Sequence, residues 1–432
     1  MTPADAVIAV ATSGGRDSTA LLHAVARQCM GQPVEVLALH VHHGLMPQAD
    51  AWVEHLSRQV RRWAKAGMPV RLAVTHLQGQ PAKGESVEAW ARSERYAALA
   101  RMALVAGANH VLLAHHQRDQ AETVVLQALR GAGPAGLAAM PGEVFRNGVW
   151  WCRPWLEQPS TAIDAYVRRW QLSHISDPSN DDHRFDRNRL RHGVLPSLLA
   201  AFPQAEASLA AVARQAHWAA QLQQEAGEAA LSAIGAGAEL PLSAWQALPP
   251  ATRRAALLTW LHRQLVGGVS EALVQRLMVE AQPGRAGRWP VPGGAEVRAY
   301  RGLLSAASAA VPGAAGDEPD WRQPGTHTCS NWGGQLTVCL SDTGDISLQD
   351  WQRAALVGRQ GGEQFQLQPR STARALKKQY QAMGVPAWQR QTPLWLLDGV
   401  TLFVPCLGVD GRYQAASSGP RVHLEWRPSH DS

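Results

Sequence analysis

The sequence predicts an α/β protein: an N-terminal parallel sheet with helices on both faces, a mainly helical middle domain and a small α+β C-terminal domain. Three observations carry this expectation. Short, continuously apolar, β-branched runs alternate with helical periodicity through the first two hundred residues, the pattern of strands buried on both faces. A glycine-rich turn joins the first of these runs directly to a helix. The chain has 432 residues, too many for one core at about 100–200 residues per domain.

Taken in order, strands are expected at Val7–Ala11, Val34–His40, Val70–Thr75 and His110–Ala114. Helical stretches lie between them, around Ser18–Met30, Asp50–Ala66 and Val87–Ala106, and a further one, Arg184–Ala201, closes the region. From Gln204 to about Leu240 the chain is dense in Ala, Gln and Glu, the composition of a connecting helix. A mostly helical unit follows to Leu304, with a Pro/Gly turn at Pro290-Val291-Pro292-Gly293-Gly294. Ala306–Gly325 reads as a linker by composition, and the last unit has strand-like segments and a helix near Thr372–Met383. The expected domains are therefore 1–203, 204–305 and 326–432, with 306–325 as linker.

Composition narrows the function classes. Hydrophobic residues make up 46% and charged residues 18%, which excludes wholesale disorder. Forty-one Lys and Arg against thirty-five Asp and Glu leave +6, so the placement of the cations matters more than their sum. No apolar run approaches the about 18 residues of a membrane span. The five cysteines are scattered without a C-x-x-C pair, which supports neither a disulfide framework nor a zinc ribbon. The expectation is a soluble, reduced, cytoplasmic protein with no membrane partner.

After the first strand comes Ser13-Gly14-Gly15-Arg16-Asp17-Ser18, leading straight into a helix. At such a junction the free N–H groups and the positive end of the helix dipole face outward, and glycines let the backbone close on an oxyanion. No Gly-Lys-Ser/Thr follows and no G-x-G-x-x-G is present, so this is neither a Walker loop nor a dinucleotide fingerprint. The loop is similar to the S-G-G-x-D-S pyrophosphate loop of the N-type ATP pyrophosphatases.

More motifs follow in order: His40-Val41-His42-His43-Gly44-Leu45, Glu88–Tyr96, His115-His116-Gln117-Arg118-Asp119-Gln120-Ala121-Glu122-Thr123 and Leu129-Arg130-Gly131. Then come Arg153-Pro154, Asp177-Pro178-Ser179-Asn180 and Arg187-Asn188-Arg189-Leu190-Arg191. Gly361-Gly362-Glu363, Arg374–Lys378 and Gly384–Trp388 stand near the C-terminus. Any one of these is weak, but the ordered set resembles the tRNA(Ile)-lysidine synthetase family. The likeness covers the N-terminal two hundred residues and resumes in the last hundred.

That resemblance implies a ligase. ATP adenylates the C2 oxygen of the wobble cytidine in the CAU anticodon of an isoleucine tRNA. The ε-amine of free L-lysine then attacks C2 and expels AMP, so that the lysidine formed reads AUA instead of AUG. The implied ATP site comprises Ser13, Gly14, Gly15, Arg16, Asp17, Ser18 and His40, with Asp17 also at Mg2+. Asp17, Arg92, Asp119 and Glu122 are the catalytic candidates, and Asp119 and Glu122 would receive lysine. The tRNA-binding candidates are Arg130, Arg187, Arg191, Arg374, Lys377 and Lys378. A homodimer is compatible with all of this. Two positions depart from the family pattern: Arg16 is usually apolar, and Arg118 is usually Asp.

Each candidate has a plainer reading. His40, His42, His43, His115 and His116 lack the helix spacing of a zinc site and are expected to line a nucleotide pocket. Asp119 and Glu122, three apart on a helix, could simply complement its dipole. Arg92, Arg130, Arg187 and Arg191 could be a solvated face. Between Gln352 and Arg390 there are seven Lys or Arg and one acid, Glu363, and Arg374, Lys377 and Lys378 are spaced to share one helix face. A solvated face normally carries both signs, so phosphate contact is expected here. The seventeen tryptophans are expected mostly in cores. Two alternatives stay open: another PP-loop tRNA-modifying enzyme such as a thiolase, and a non-catalytic RNA-binding relative.

Overall fold

The computed structural model describes residues 6–42, 44, 48–77, 79, 87–176, 182–265, 267–307, 320–329, 332, 334–390, 392–414 and 420–428. His43, Leu45 and the Asp177–Asn180 motif lie outside the described residues. The chain divides into two units, 1–223 and 224–432.

In the first unit, β1 (Ala6–Ala11), β2 (Val34–His42), β3 (Val70–His76), β4 (His110–Leu112), β5 (Glu143–Arg146) and β6 (Val149–Cys152) form one sheet. Its order is β3-β2-β1-β4-β6-β5. Every pairing is parallel except the β5–β6 hairpin at the edge. The chain runs from β1 outward to β3, then returns to β4 on the other side of β1. That reversal is the switch point at which an open α/β sheet binds ligands, beyond the carboxyl ends of its strands.

The helices are α1 (Arg16–Gln28), α2 (Ala49–Lys65), α3 (Val87–Val105), α4 (Gln117–Leu129), α5 (Pro134–Leu137), α6 (Ser160–Arg169), α7 (Asp186–Arg189), α8 (Leu195–Ala201) and α9 (Ala205–Ala233). Strand alternation explains why the apolar runs are continuous. Val10, Val36 and Ala38 pack on Leu21, Leu22 and Ala26 of α1, Trp63 of α2 and Ile163 of α6. Their neighbours Ala9, Leu37 and Leu39 pack on the opposite face against Ala98, Leu99 and Ala103 of α3. The single helix expected over Arg184–Ala201 is broken: Leu190–Val194 is a π turn between α7 and α8. Pro196 lacks the N–H that a regular helix would need there.

Helix α9 crosses from the first unit into the second. There β7 (Leu240–Pro241), α10 (Leu242–Gln246), α11 (Pro250–Gln264), α12 (Glu271–Glu280), β8 (Gly287–Pro290), β9 (Glu296–Tyr300) and β10 (Leu303–Ala307) follow. Trp245, Leu257, Trp260 and Leu277 share a core with Val297 and Leu304. The strands after α12 form an antiparallel meander. The sequence does not announce it, because each strand is only four or five residues long.

The remaining elements are β11 (Gly325–Cys329), β12 (Gly334–Ser341), β13 (Ile346–Ser347), α13 (Leu348–Arg353), β14 (Ala355–Val357), β15 (Gln364–Phe365), β16 (Arg374–Ala375), α14 (Leu376–Ala382), β17 (Leu394–Leu397), β18 (Val400–Val404), β19 (Gly408–Val409) and β20 (Arg421–Pro428). They build two four-stranded sheets, β11-β12-β20-β13 and β14-β17-β18-β19, and a β15–β16 hairpin. Trp321, Trp351, Trp395 and Phe403 fill the core between them. Trp321 falls inside the expected linker, and Ala306 and Ala307 belong to β10, so the linker is narrower than its composition suggests. No helix among the described residues is long and apolar enough to cross a membrane.

Candidate functional site

The loop between β1 and α1 is held open by its own short side chains. Gly14 sits at φ +84, and a Cβ there would meet Ile175 Cδ1 at 2.4 Å, so the position requires glycine. The Gly14 carbonyl accepts from Ile175 N at 2.9 Å and from Thr19 Oγ1 at 3.1 Å. The Ser13 N–H donates to Ser18 Oγ at 3.2 Å, and Ser18 Oγ donates to the Gly15 carbonyl at 3.1 Å. Gly15 is the N-cap of α1 and carries no side chain to satisfy the first helical N–H groups. An oxyanion is the partner such groups suit. His40, at the end of β2, donates from Nδ1 to the Thr12 carbonyl at 2.9 Å. Its ring is buried against the same loop.

Asp17 opens α1 and faces the start of α4 across the switch point. The buried ring of His116 stands between two carboxylates: Nε2 is 3.6 Å from Asp17 Oδ2, and Nδ1 is 3.6 Å from Asp119 Oδ2. Burial opposes the charge on Asp17, but hydrogen bonding to His116 and Arg16 outweighs it and brings the carboxyl down to about 2. Asp119 also closes the helix start, because its Oδ2 accepts from the His116 N–H at 3.0 Å. The helix-complementing reading of Asp119 is therefore satisfied, and it leaves Oδ1 for other partners.

Those partners are arginines. Arg187 and Arg191, expected at the tRNA, turn onto the acid pair with about a third of each side chain still exposed. Arg187 Nε lies 2.7 Å from Glu122 Oε2 and its Nη2 lies 3.0 Å from Asp119 Oδ1. Arg191 Nε lies 2.7 Å from Glu122 Oε1 and its Nη2 lies 3.2 Å from Asp119 Oδ1. Glu122 is 0% exposed, and a carboxylate so placed must be paired. Glu122 thus presents no open oxygen; Asp119, whose two oxygens are also engaged, stands at the rim with 13% of its side chain exposed.

The two unusual arginines are also engaged. Arg16 bonds Asp17 Oδ1 at 2.8 Å and Asp164 of α6 at 2.7 Å. Arg118 turns away from the acid pair to Glu206 of α9, Nε to Oε1 2.5 Å. Neither Asp164 nor Glu206 was signalled by any motif. His115 stands beside the cluster: burial and the charges of Arg153, Arg187 and Arg92 bring it down to about 4, against an opposing pull from Asp119. It is therefore a neutral imidazole at physiological pH, and its Nδ1 has no hydrogen-bond partner among the described residues. Arg92 is exposed with its guanidinium over the Tyr96 ring at 5.3 Å. Arg130 ends α4, is 63% exposed and lies 3.6 Å from Asp186.

In the second unit, Lys377 and Lys378 are exposed on α14, but Arg374 is not on that helix. It lies on β16, paired with Phe365 of β15, and the helix begins only after Glu363 O accepts the Leu376 N–H at 2.8 Å. All three cations remain exposed. The single acid of the stretch is consumed internally: Glu363 Oε1 accepts from Gln360 N and Gly361 N at 2.7 and 2.6 Å. Gly361 and Gly362 both take positive φ, +94 and +86, which explains the two glycines ahead of Glu363. The Gly384–Trp388 segment packs back on the meander, with Tyr300 and Trp388 ring centroids 5.7 Å apart.

A resident Mg2+ with ATP would need one or two carboxylates beside phosphate oxygens. Asp17 fits as that carboxylate, since Arg16 engages only its Oδ1 and it is a third exposed. None of the five cysteines is in a disulfide among the described residues.

Known proteins match the chain along its length. The PP-loop domain family matches residues 3–198, the TilS substrate binding domain 240–305, and the TilS substrate C-terminal domain 355–426. The tRNA(Ile)-lysidine synthase of Ralstonia nicotianae is 38% identical over 98% of this chain and 93% of its own. That of Chromobacterium violaceum is 35% identical over 97% and 95%. That of Polaromonas naphthalenivorans is 41% identical over 62% of this chain and 79% of its own.

Proposed function

The chain belongs to the tRNA(Ile)-lysidine synthase family, and from that premise we propose how its residues divide the work. The activity is ATP-dependent carbon–nitrogen ligation: the wobble cytidine of the CAU-anticodon isoleucine tRNA becomes lysidine, with release of pyrophosphate and AMP. This excludes the thiolase and non-catalytic alternatives.

The α1 start and the loop Ser13–Ser18 hold the departing pyrophosphate, where negative charge develops. Asp17 would hold Mg2+, which supplies charge neutralisation at the phosphates. His40 fixes the loop from the neighbouring strand. In the first step the C2 oxygen attacks the α-phosphorus and the α–β phosphoanhydride bond breaks. In the second, a neutral ε-amine attacks C2 and the oxygen leaves with AMP.

Free lysine arrives with both amines protonated. Asp119, at the rim, takes an ammonium group, while Glu122 holds Arg187 and Arg191 in place behind it. His115, neutral and unpaired at Nδ1, can accept a hydrogen bond from the attacking amine; titrating near 4, it does not keep the proton, which passes to water. Arg92 and Arg130 would meet the anticodon arm, and Arg374, Lys377 and Lys378 the phosphate backbone elsewhere on the tRNA. The cytoplasm, with its free lysine and ATP, is the compartment this reading requires.

One observation supports the assignment above others: His116 stands between Asp17 of the phosphate loop and Asp119 of the acid pair, 3.6 Å from each. In this reading adenylation and amine transfer share one strand edge. The test is purified protein with ATP, magnesium, labelled lysine and the CAU-anticodon isoleucine tRNA. Label transferred to RNA with stoichiometric AMP is the expected result; AMP without label, or no AMP, would refute it.

A further inference from the structure

At the far side of the same strand edge stands a group of side chains that neither the loop nor the acid pair uses. β2 and β3 pair in parallel with His42 opposite His76. Residues so paired point to one face, and the two imidazoles stand side by side, ring centroids 4.5 Å apart and planes tilted by 38°. Asp50, near the start of α2, brings Oδ1 to 3.2 Å from His42 Nε2. One ligand atom from each of the three lies within 4.8 Å of the others.

The His42 ring is only 10% exposed, yet its Nε2 makes no hydrogen bond with any described residue. Asp50 is near enough for an ion pair but is not aligned to accept a proton from that nitrogen. A buried polar nitrogen without a partner is costly and calls for an explanation. If His42 were simply an imidazolium paired with Asp50, an aligned N–H···O bond would be expected. Two ligands about 2.0–2.2 Å from a shared tetrahedral ion stand about 3.3–3.6 Å apart, close to the 3.2 Å between His42 Nε2 and Asp50 Oδ1, with the His76 ligand atom within 4.8 Å of both.

We propose that His42, His76 and Asp50 form a binding site for a divalent transition-metal ion of the zinc class. Two imidazoles and one carboxylate are the donor set such ions prefer, whereas magnesium prefers oxygen alone. Water completes the coordination. The role is structural: the ion ties the ends of β2 and β3 to the start of α2, two residues beyond His40 and separate from the carboxylate of Asp17. Sequence spacing alone did not find this group, because His76 is brought to His42 by strand register and Asp50 by the turn into α2.

The test uses the full chain, stripped with a chelator, dialysed and titrated without ATP. Calorimetry with Zn2+ alone should show one equivalent bound. His76→Ala and Asp50→Asn should each weaken binding more than about tenfold; both side chains are exposed, so the fold is kept. Zinc should raise the melting temperature of the wild type and leave both variants unmoved. Co2+ in place of zinc should give the intense visible absorption of a four-coordinate site. Absence of saturable binding by the wild type, or unchanged binding in both variants, would overturn the proposal.

Discussion

The cations of the switch-point site and those of the α14 region do opposite things with their charge. At the switch point Arg16, Arg118, Arg187 and Arg191 are each bound to a carboxylate, and those acids range from the buried Glu122 to Asp164, which is a third exposed. Around α14 the lone acid is taken by backbone N–H groups, and Arg374, Lys377 and Lys378 stay exposed. A basic residue next to a buried acid compensates a desolvated charge; a basic residue left in water remains available to a polyanion. Counting cations along the chain could not tell these two uses apart.

The largest effect is expected where the comparison is most lopsided. Asp17→Ala removes the acid that faces the phosphate loop from the helix start. Adenylation should fall by about 10²–10³ or more, while tRNA binding stays near wild type. Pyrophosphate release at the wild-type rate would sink the loop assignment.

Glu122→Gln tests whether the switch-point arginines are truly compensating. Removing the charge leaves Arg187 and Arg191 half-buried against a neutral amide, and stability should fall by about 3–5 kcal/mol. Asp119→Asn, at the rim, should cost much less stability. It should instead raise the lysine requirement while adenylated tRNA still forms. Denaturant melts beside lysine-dependent kinetics separate the two; equal stability losses in both variants would erase the distinction between rim and interior.

Replacing Arg374, Lys377 and Lys378 together with Ala probes the other side of the comparison. Stability should move by no more than about 0.5 kcal/mol. The log–log salt slope of tRNA binding should flatten by about 0.7–0.9 for each phosphate that is no longer neutralised. An unchanged slope would reduce the patch to a solvated face.

The smallest effect concerns pH. His115 titrates near 4 in the folded chain and near its ordinary 6.5 when unfolded. The unfolded state takes up the proton first, so this group lowers stability progressively as pH falls from about 6.5 to about 4, and has no effect above that window. Asp17 works on a lower window: its stabilisation is present above 3.8 and lost as pH falls through about 2. His115→Gln should therefore flatten the melting-temperature profile between pH 6.5 and 4; a profile parallel to wild type would contradict the half-buried, neutral ring.

The central strands β1 and β2 were legible because their middles are buried on both faces and so read as unbroken apolar runs. The β5–β6 hairpin was not: Trp151 is buried while its neighbour Trp150 is 39% exposed, and four residues are too few for the alternation to register. The phosphate loop and the acid pair were legible as ordered motifs, since their chemistry needs particular residue types at short spacing. Arg374 was misplaced because i, i+3, i+4 spacing describes a helix face only where the helix exists, and pairing with β15 claims that residue first.

The sequence by itself determined the order of the first four strands and the helices between them, the glycine turn on the first helix and the acids that follow the fourth strand. These rest on local periodicity, backbone conformation and short-range spacing. Tertiary structure alone decided which charges are spent. Arg16 meets Asp164 across 148 positions, Glu122 meets Arg187 across 65 and Arg118 meets Glu206 across 88. His42 meets His76 only through parallel register. Whether a charge is compensated depends on what folding brings within a few ångströms after water is removed, and sequence spacing carries no record of that distance.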